Sequence, residues 1–188
     1  MTTSDGDKDD EFQSWFCDLA TQYYISGRYA AKCFLVPVYG NLLHHAVEMY
    51  LKAALVGTLT VKQMKEHRHD LPALWNEFKT KEKDATLSRF DATVDALHTF
   101  ESIRFPDEIV AKGLRSGVGW VPEDTTTFSG SIKPPPKYVV IINLIDELVI
   151  ELLRREDLNP KAFITMFAPF SEAREALTYQ NPQAGHWM

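Results

Sequence analysis

The stretch NLLHHAVEMYLKAAL, residues 41–55, decides the fold. Leu42, Leu43, Ala46, Val47, Met49, Tyr50, Leu51, Ala54 and Leu55 place apolar groups on nearly every side of a helix. A helix that is apolar all round belongs among other helices, at the centre of its domain. Asn41 suits the N-cap, and Gly57 marks the stop. The polar residues His44, Glu48 and Lys52 recur every four positions, so they share one stripe of that central helix. Glu48 therefore loses water on folding and needs a partner, because a buried unpaired carboxylate is costly. The expected partner is Arg104, whose planar guanidinium can meet a carboxylate through two parallel bonds; failing that, it is His69.

Working outward, Phe12, Trp15, Phe16, Leu19, Tyr23 and Tyr24 recur at helical spacing and predict a first helix from Glu11. Gly27 is expected to loosen it and Pro37 to end or kink it. A basic, His-containing connection fills residues 58–69. Asp70 then caps DLPALWNEFK, with Pro72 tolerated in the first turn. Asp84 caps a fourth helix carrying Leu87, Phe90, Val94 and Leu97, and Pro106 stops regular structure. Residues 107–136, punctuated by glycines and by Pro134, Pro135 and Pro136, read as a long loop of functional or mobile type. Tyr138 through Leu152 predict a strong fifth helix over 137–155. Its apolar residues fall on more than one side, which suggests an interface. Asn159 with Pro160, and Ser171 with Glu172, start short helices. No alternating pattern is long enough to build a sheet. The expectation is an all-α, up-and-down helical bundle of about five main helices with short C-terminal helices. Its parts are a disordered acidic tail at 1–10, the bundle at 11–156 and a C-terminal helical extension at 157–188.

Composition agrees with a globular domain: 188 residues, 45% hydrophobic and 24% charged, with a net charge of −6. Residues 5–11 alone carry −4, so the body is near neutral and lacks the charge for strong non-specific nucleic-acid binding. The acidic N-terminus has no apolar signal core, and YVVIINLIDELVIELL is too short and too charged to span a bilayer. Cys17 and Cys33 are too far apart along one helix to pair. A cytoplasmic protein without membrane partners is expected.

Several constellations could carry chemistry. His44, His45, His67, His69 and His98 invite a metal reading, but there is no HExxH and no CxxC, so neither metal nor cofactor is expected. GLRSGVGW, residues 113–120, lacks the GxxxxGK[ST] of a phosphate loop. Lys62, Lys65, Arg68, Lys79, Lys81 and Lys83 form a basic cluster that could be a solvated face or a local phosphate contact. Trp120, Phe128 and Tyr138 flank the long loop and could stack on a partner or pack the loop down. The candidate polar cluster is Glu48, Lys52, His69 and Arg104, with His44, His45 and Arg68 as candidate ligand-facing residues.

The combination of NLLHHAVEMYLKAAL, EHRHDLPALW and ESIRFPDE resembles the HEPN superfamily, small all-α domains, over about residues 12–155. The resemblance rests on Glu48 with Lys52 four residues on, on His69-Asp70-Leu71 leading into the next helix, and on Arg104-Phe105-Pro106. It implies a bundle that often forms a homodimer, in a toxin–antitoxin, defence, stress or RNA-processing setting. Active members are metal-independent ribonucleases using R-x(4–6)-H, and no Arg here precedes a His at that spacing. The expected function is thus a non-catalytic module binding a nucleotide, RNA or protein partner. The alternatives are a divergent ribonuclease using His67, His69 and Arg104, or a structural dimer subunit.

Overall fold

The computed structural model describes residues 5–121, 137–167 and 169–188. The architecture is an all-α bundle. Helix α1 (Asp5–Lys32) and helix α2 (Val38–Ala54) form a hairpin, followed by α3 (Val61–Glu66) and α4 (Leu71–Glu82). A 3-10 turn over Ala85–Phe90 leads into α5 (Asp91–Thr99), and α6 (Pro106–Lys112) follows a second such turn. Two short strands, β1 (Arg115–Gly119) and β2 (Lys137–Ile141), precede α7 (Ile142–Arg155), α8 (Pro160–Ile164) and α9 (Ser171–Thr178). No helix among the described residues is long and apolar enough to cross a membrane.

Helix α2 sits at the centre, against α1, α4, α5 and α7. Leu43, Val47, Leu51 and Leu55 are fully buried there, among Tyr24, Phe78, Phe90, Phe100 and Leu148. Two glycines set how closely its neighbours approach. A methyl group built on Gly27 would lie 2.8 Å from Leu43 Cγ, so the missing side chain lets α1 close onto α2. Gly27 does not loosen α1, which runs through it unbroken. A methyl on Gly40 would overlap the Phe100 ring outright.

A second anchor is polar. Arg28 is fully buried on α1, and its guanidinium pairs with the fully buried Asp146 of α7. Its Nε donates to the Ala176 carbonyl at 2.7 Å and Nη2 to the Tyr179 carbonyl at 2.5 Å. Tyr24 donates its hydroxyl to Asp146 at 2.6 Å. Arginine remains protonated in proteins, so Asp146 is held as its counter-charge. This network draws the C-terminal segment into the main core, where Trp187 is buried and stacks on Tyr24 at 5.4 Å. Residues 157–188 are therefore part of the bundle's packing as much as an extension of it.

Several sequence expectations need correction. The acidic tail is not wholly unstructured, since α1 begins at Asp5; residues 1–4 lie outside the described set. Helix α2 begins at Val38, ahead of the expected Asn41 cap. The region 107–136 is not one loop: it contains most of α6 and all of β1, while 122–136 and hence Phe128 lie outside the described residues. A small sheet exists where none was expected. β1 pairs with β2 in parallel, from Arg115 opposite Lys137 to Gly119 opposite Ile141. Residues 137–141 thus form a strand, and the fifth main helix starts at Ile142. Five residues cannot display a clear period of two, and KYVVI runs straight into the helical apolar pattern behind it. The apolar surplus of α7 does not mark an interface: Ile145, Leu148, Val149, Leu152 and Leu153 are buried within the chain. Tyr138 is likewise buried, and Trp120 packs edge-on against Tyr179 at 5.0 Å.

Gly40→Ala tests the close packing. The added methyl must displace the buried Phe100 ring, and overpacking of this kind costs about 1–3 kcal/mol or more. Urea denaturation should show that loss, whereas Gly185→Ala, with open space around it, should leave stability within about 0.5 kcal/mol of the parent.

Candidate functional site

The site grows from the polar stripe of α2. Glu48 points away from water altogether, and its carboxylate is satisfied by side chains from two directions. One turn on, Lys52 Nζ donates to Oε1 at 2.5 Å. One turn back, His45 Nδ1 lies 3.2 Å from Oε2, and from the far side of the α3–α4 connection His69 Nδ1 lies 3.0 Å from the same oxygen. An ionised carboxylate only accepts, so both imidazoles carry their proton on Nδ1 and turn Nε2 away from Glu48. The rings of His45 and His69 stand 5.3 Å apart, nearly perpendicular.

Local structure holds the connection in place. Thr60 and Gln63 close a reciprocal capping box at the start of α3. Asp70 caps α4 by accepting from the Ala73 amide at 3.1 Å. Between them Arg68 adopts a left-handed backbone with φ of 49°, uncommon for a residue with a side chain. Lys52 Nζ also reaches the Arg68 carbonyl at 3.3 Å. The turn His67-Arg68-His69 is thus fastened to α2 by both Lys52 and Glu48, with the Arg68 side chain left exposed.

His44 occupies the inner end of the stripe and is 1% exposed. Its Nδ1 lies 3.3 Å from the Leu97 carbonyl of α5, and its ring stacks on His98 with centroids 6.0 Å apart. Its Nε2 faces Glu48 Oε2 at 3.8 Å and has no hydrogen-bond partner among the described residues. His44, His45 and Glu48 each offer a donor atom within 4.8 Å of the others, so these three could hold a metal ion. Beside His45, at 5.4 Å between rings, Tyr23 of α1 lines a surface groove of about 260 Å³ with Leu19, Gln22, Ser26 and Leu42.

Glu48, Lys52 and His69 of the expected polar cluster therefore meet, and His44, His45 and Arg68 adjoin them. Arg104 does not join. Its Nη1 lies 3.4 Å from Glu101, its neighbour one turn back, and its guanidinium lies against the Phe105 ring. The expected Glu48–Arg104 pair is thus replaced by the His69 contact, because α5 and the turn after it place Arg104 on the surface beside its own local acid. Tyr23 was missed as a neighbour of the site. It belongs to another helix, and its apolar spacing matches ordinary core positions.

Electrostatics follow from this packing. Burial pushes the Glu48 carboxyl up, but hydrogen bonds from His45, Lys52 and His69 outweigh it and hold the group down at about 2. Burial also lowers the His44 imidazole to about 4, more strongly than the facing Glu48 charge can raise it. No family model, curated protein or solved structure matches this chain.

Both folded values lie below those of the unfolded chain, near 6.5 for His44 and 4.5 for Glu48. The unfolded state then binds more protons, so both contributions are complete above about pH 7 and are lost as pH falls, His44's between about 6.5 and 4 and Glu48's between about 4.5 and 2. Melting temperature in a chelating buffer should decline below pH 7. His44→Phe should remove roughly 3 kcal/mol of the pH dependence between pH 7 and 4. Identical pH profiles for parent and variant would contradict this assignment.

Proposed function

We propose that the chain is an HEPN-like helical module that binds a phosphate-bearing ligand, a nucleotide or an RNA strand, without cleaving it. The observation that carries the reading is the paired display of His45 and His69 on one buried carboxylate. Glu48 fixes both rings through Nδ1 and directs both Nε2 atoms away from itself. An imidazole so placed presents Nε2 to a ligand, and in its protonated form it offers Nε2–H to a phosphate oxygen. Arg68 is exposed on the same turn, and Lys65 is exposed one turn earlier. The groove beside Tyr23 provides a shallow apolar floor with an aromatic edge on which a base could lie. Such a site is local, which suits a chain whose body is near neutral.

A ribonuclease reading has one observation in its favour, since two imidazoles 5.3 Å apart could share acid and base roles. It loses Arg104 as the phosphate-stabilising group. A homodimer belongs to the same HEPN-like reading. Its support is the exposed apolar set Phe12, Trp15 and Leu19 along α1, and Tyr29, Leu35 and Phe170 around a groove of about 500 Å³.

Fluorescence anisotropy with a short labelled single-stranded RNA, competed by unlabelled ATP, tests the reading in a chelating buffer. The parent should bind, and Arg68→Ala with His69→Ala should weaken binding by about tenfold or more. RNA recovered intact supports a binding module, and RNA recovered cut favours the ribonuclease. Absence of binding, or equal affinity in the double variant, overturns the site. Sedimentation of the same samples reports whether the 21.4 kDa chain pairs.

A further inference from the structure

We propose that His44 Nε2, His45 Nδ1 and Glu48 Oε2 form a site for a nitrogen-preferring divalent transition-metal ion such as Zn²⁺, with His69 or water completing the shell. The argument starts from His44. The Leu97 carbonyl at 3.3 Å can only accept, so Nδ1 of His44 carries the proton. In the neutral ring Nε2 is then a bare lone pair. It is buried, no donor among the described residues reaches it, and it faces the carboxylate Oε2 of Glu48 at 3.8 Å. Two electron-pair donors aimed at each other inside a protein repel, and they are what a cation between them relieves.

The spacing suits an ion. Zinc with ligands at about 2.0–2.2 Å holds neighbouring ligand atoms roughly 3.3 Å apart in a tetrahedron. Here Oε2 lies 3.8 Å from His44 Nε2, 3.2 Å from His45 Nδ1 and 3.0 Å from His69 Nδ1. The donor atoms of His44, His45 and Glu48 all fall within 4.8 Å of one another, so side-chain rotations suffice to close the shell. Binding moves the Nδ1 proton of His45 to its Nε2; where His69 is the fourth ligand through Nδ1 its proton moves to Nε2 in the same way, and where water is the fourth ligand His69 keeps its bond to Glu48.

The surroundings have the form of a second shell. The Leu97 carbonyl fixes the His44 ring through its other nitrogen, as backbone carbonyls do for metal-bound imidazoles. Lys52 holds Oε1 at 2.5 Å and fixes the carboxylate plane, so the ion competes only with the imidazole bonds of His45 and His69 at Oε2. His69, 41% exposed, gives the entry side. Imidazole donors select among first-row ions by the Irving–Williams order, while Ca²⁺ and Mg²⁺ need more oxygen ligands than the cluster provides. Neither HExxH nor CxxC is involved, because the ligands come from i, i+1 and i+4 of one helix.

The test uses the full chain, stripped with a chelator and titrated with Zn²⁺ by calorimetry and with Co²⁺ by visible absorption. One ion per chain is expected, with the intense bands of low-symmetry Co²⁺ and a higher melting temperature for the loaded parent. Glu48→Gln and His44→Gln should each weaken binding more than about tenfold, while His186→Gln, exposed and outside the ligand cluster, should not change it. Should His44→Gln fail to fold, the half-buried His45→Gln must abolish the Co²⁺ bands. A parent that binds no ion, or binds it as weakly as these variants, overturns the site. Because the RNA measurement is made in chelator, failure of metal binding leaves the phosphate reading standing, and the reverse also holds.

Discussion

A carboxylate sealed inside the central helix constrains much of this bundle. Helix α2 is apolar on nearly all sides, yet Glu48 is fully buried within it. Leaving such a charge without partners would cost several kcal/mol, a large share of a domain's net stability. Its partners must therefore come to it. Lys52 comes from the same helix, but His69 comes only if the α3–α4 connection folds back onto α2. That requirement explains the left-handed Arg68, the cap at Asp70 and the starting point of α4. It also orients α2 about its own axis, since rotation would expose the stripe and bury nothing in exchange.

The bundle also buries the ion pair Arg28–Asp146, and the two sites differ in their access to solvent. Arg28 uses its donors on Asp146 and on the carbonyls of Ala176 and Tyr179. That network fastens the C-terminal segment to α1 and α7 through Asp146 Oδ1, while Oδ2 has no hydrogen-bond partner among the described residues. Around Glu48 the situation differs. His44 keeps a nitrogen without a partner among the described residues, His45 and His69 turn their Nε2 atoms away from the carboxylate, and His69 opens the cluster to solvent. Both sites keep a buried polar atom without a partner among the described residues, but only the Glu48 cluster reaches solvent, through His69.

The long helices α1, α2, α4 and α7 were legible because their apolar stripes run three turns or more, whereas the short α3 and α6 fell largely inside stretches read as a connection and a loop. Asp70 and Asn159 accept the backbone hydrogen bonds their positions suggested; Asp84 caps a 3-10 turn instead of the expected helix, which begins only at Asp91. The Glu48–Lys52 contact was legible too, being fixed by helical geometry alone. Contacts between elements were less so. His69 was named only as the fallback partner, since nothing in the residues ranks it above Arg104, whose bidentate chemistry looks better but whose surface position is set by the turn after α5. The small parallel sheet was illegible for another reason: its strands are five residues each, and a parallel pair leaves no hairpin signature. Gly27 and Gly40 misread easily, because a glycine that permits close helix packing looks the same in sequence as one that breaks a helix.

The central claim is that Glu48 is ionised, buried and held by two imidazoles bonded through Nδ1. Heteronuclear NMR of the metal-free protein measures this most directly, by following the Glu48 carboxyl carbon through acid titration together with the ring nitrogens of His45 and His69. The account predicts that Glu48 stays ionised until about pH 2, well below the exposed glutamates, and that both neutral rings carry their proton on Nδ1. A carboxyl titrating near the ordinary 4.5, with rings protonated on Nε2, would contradict it.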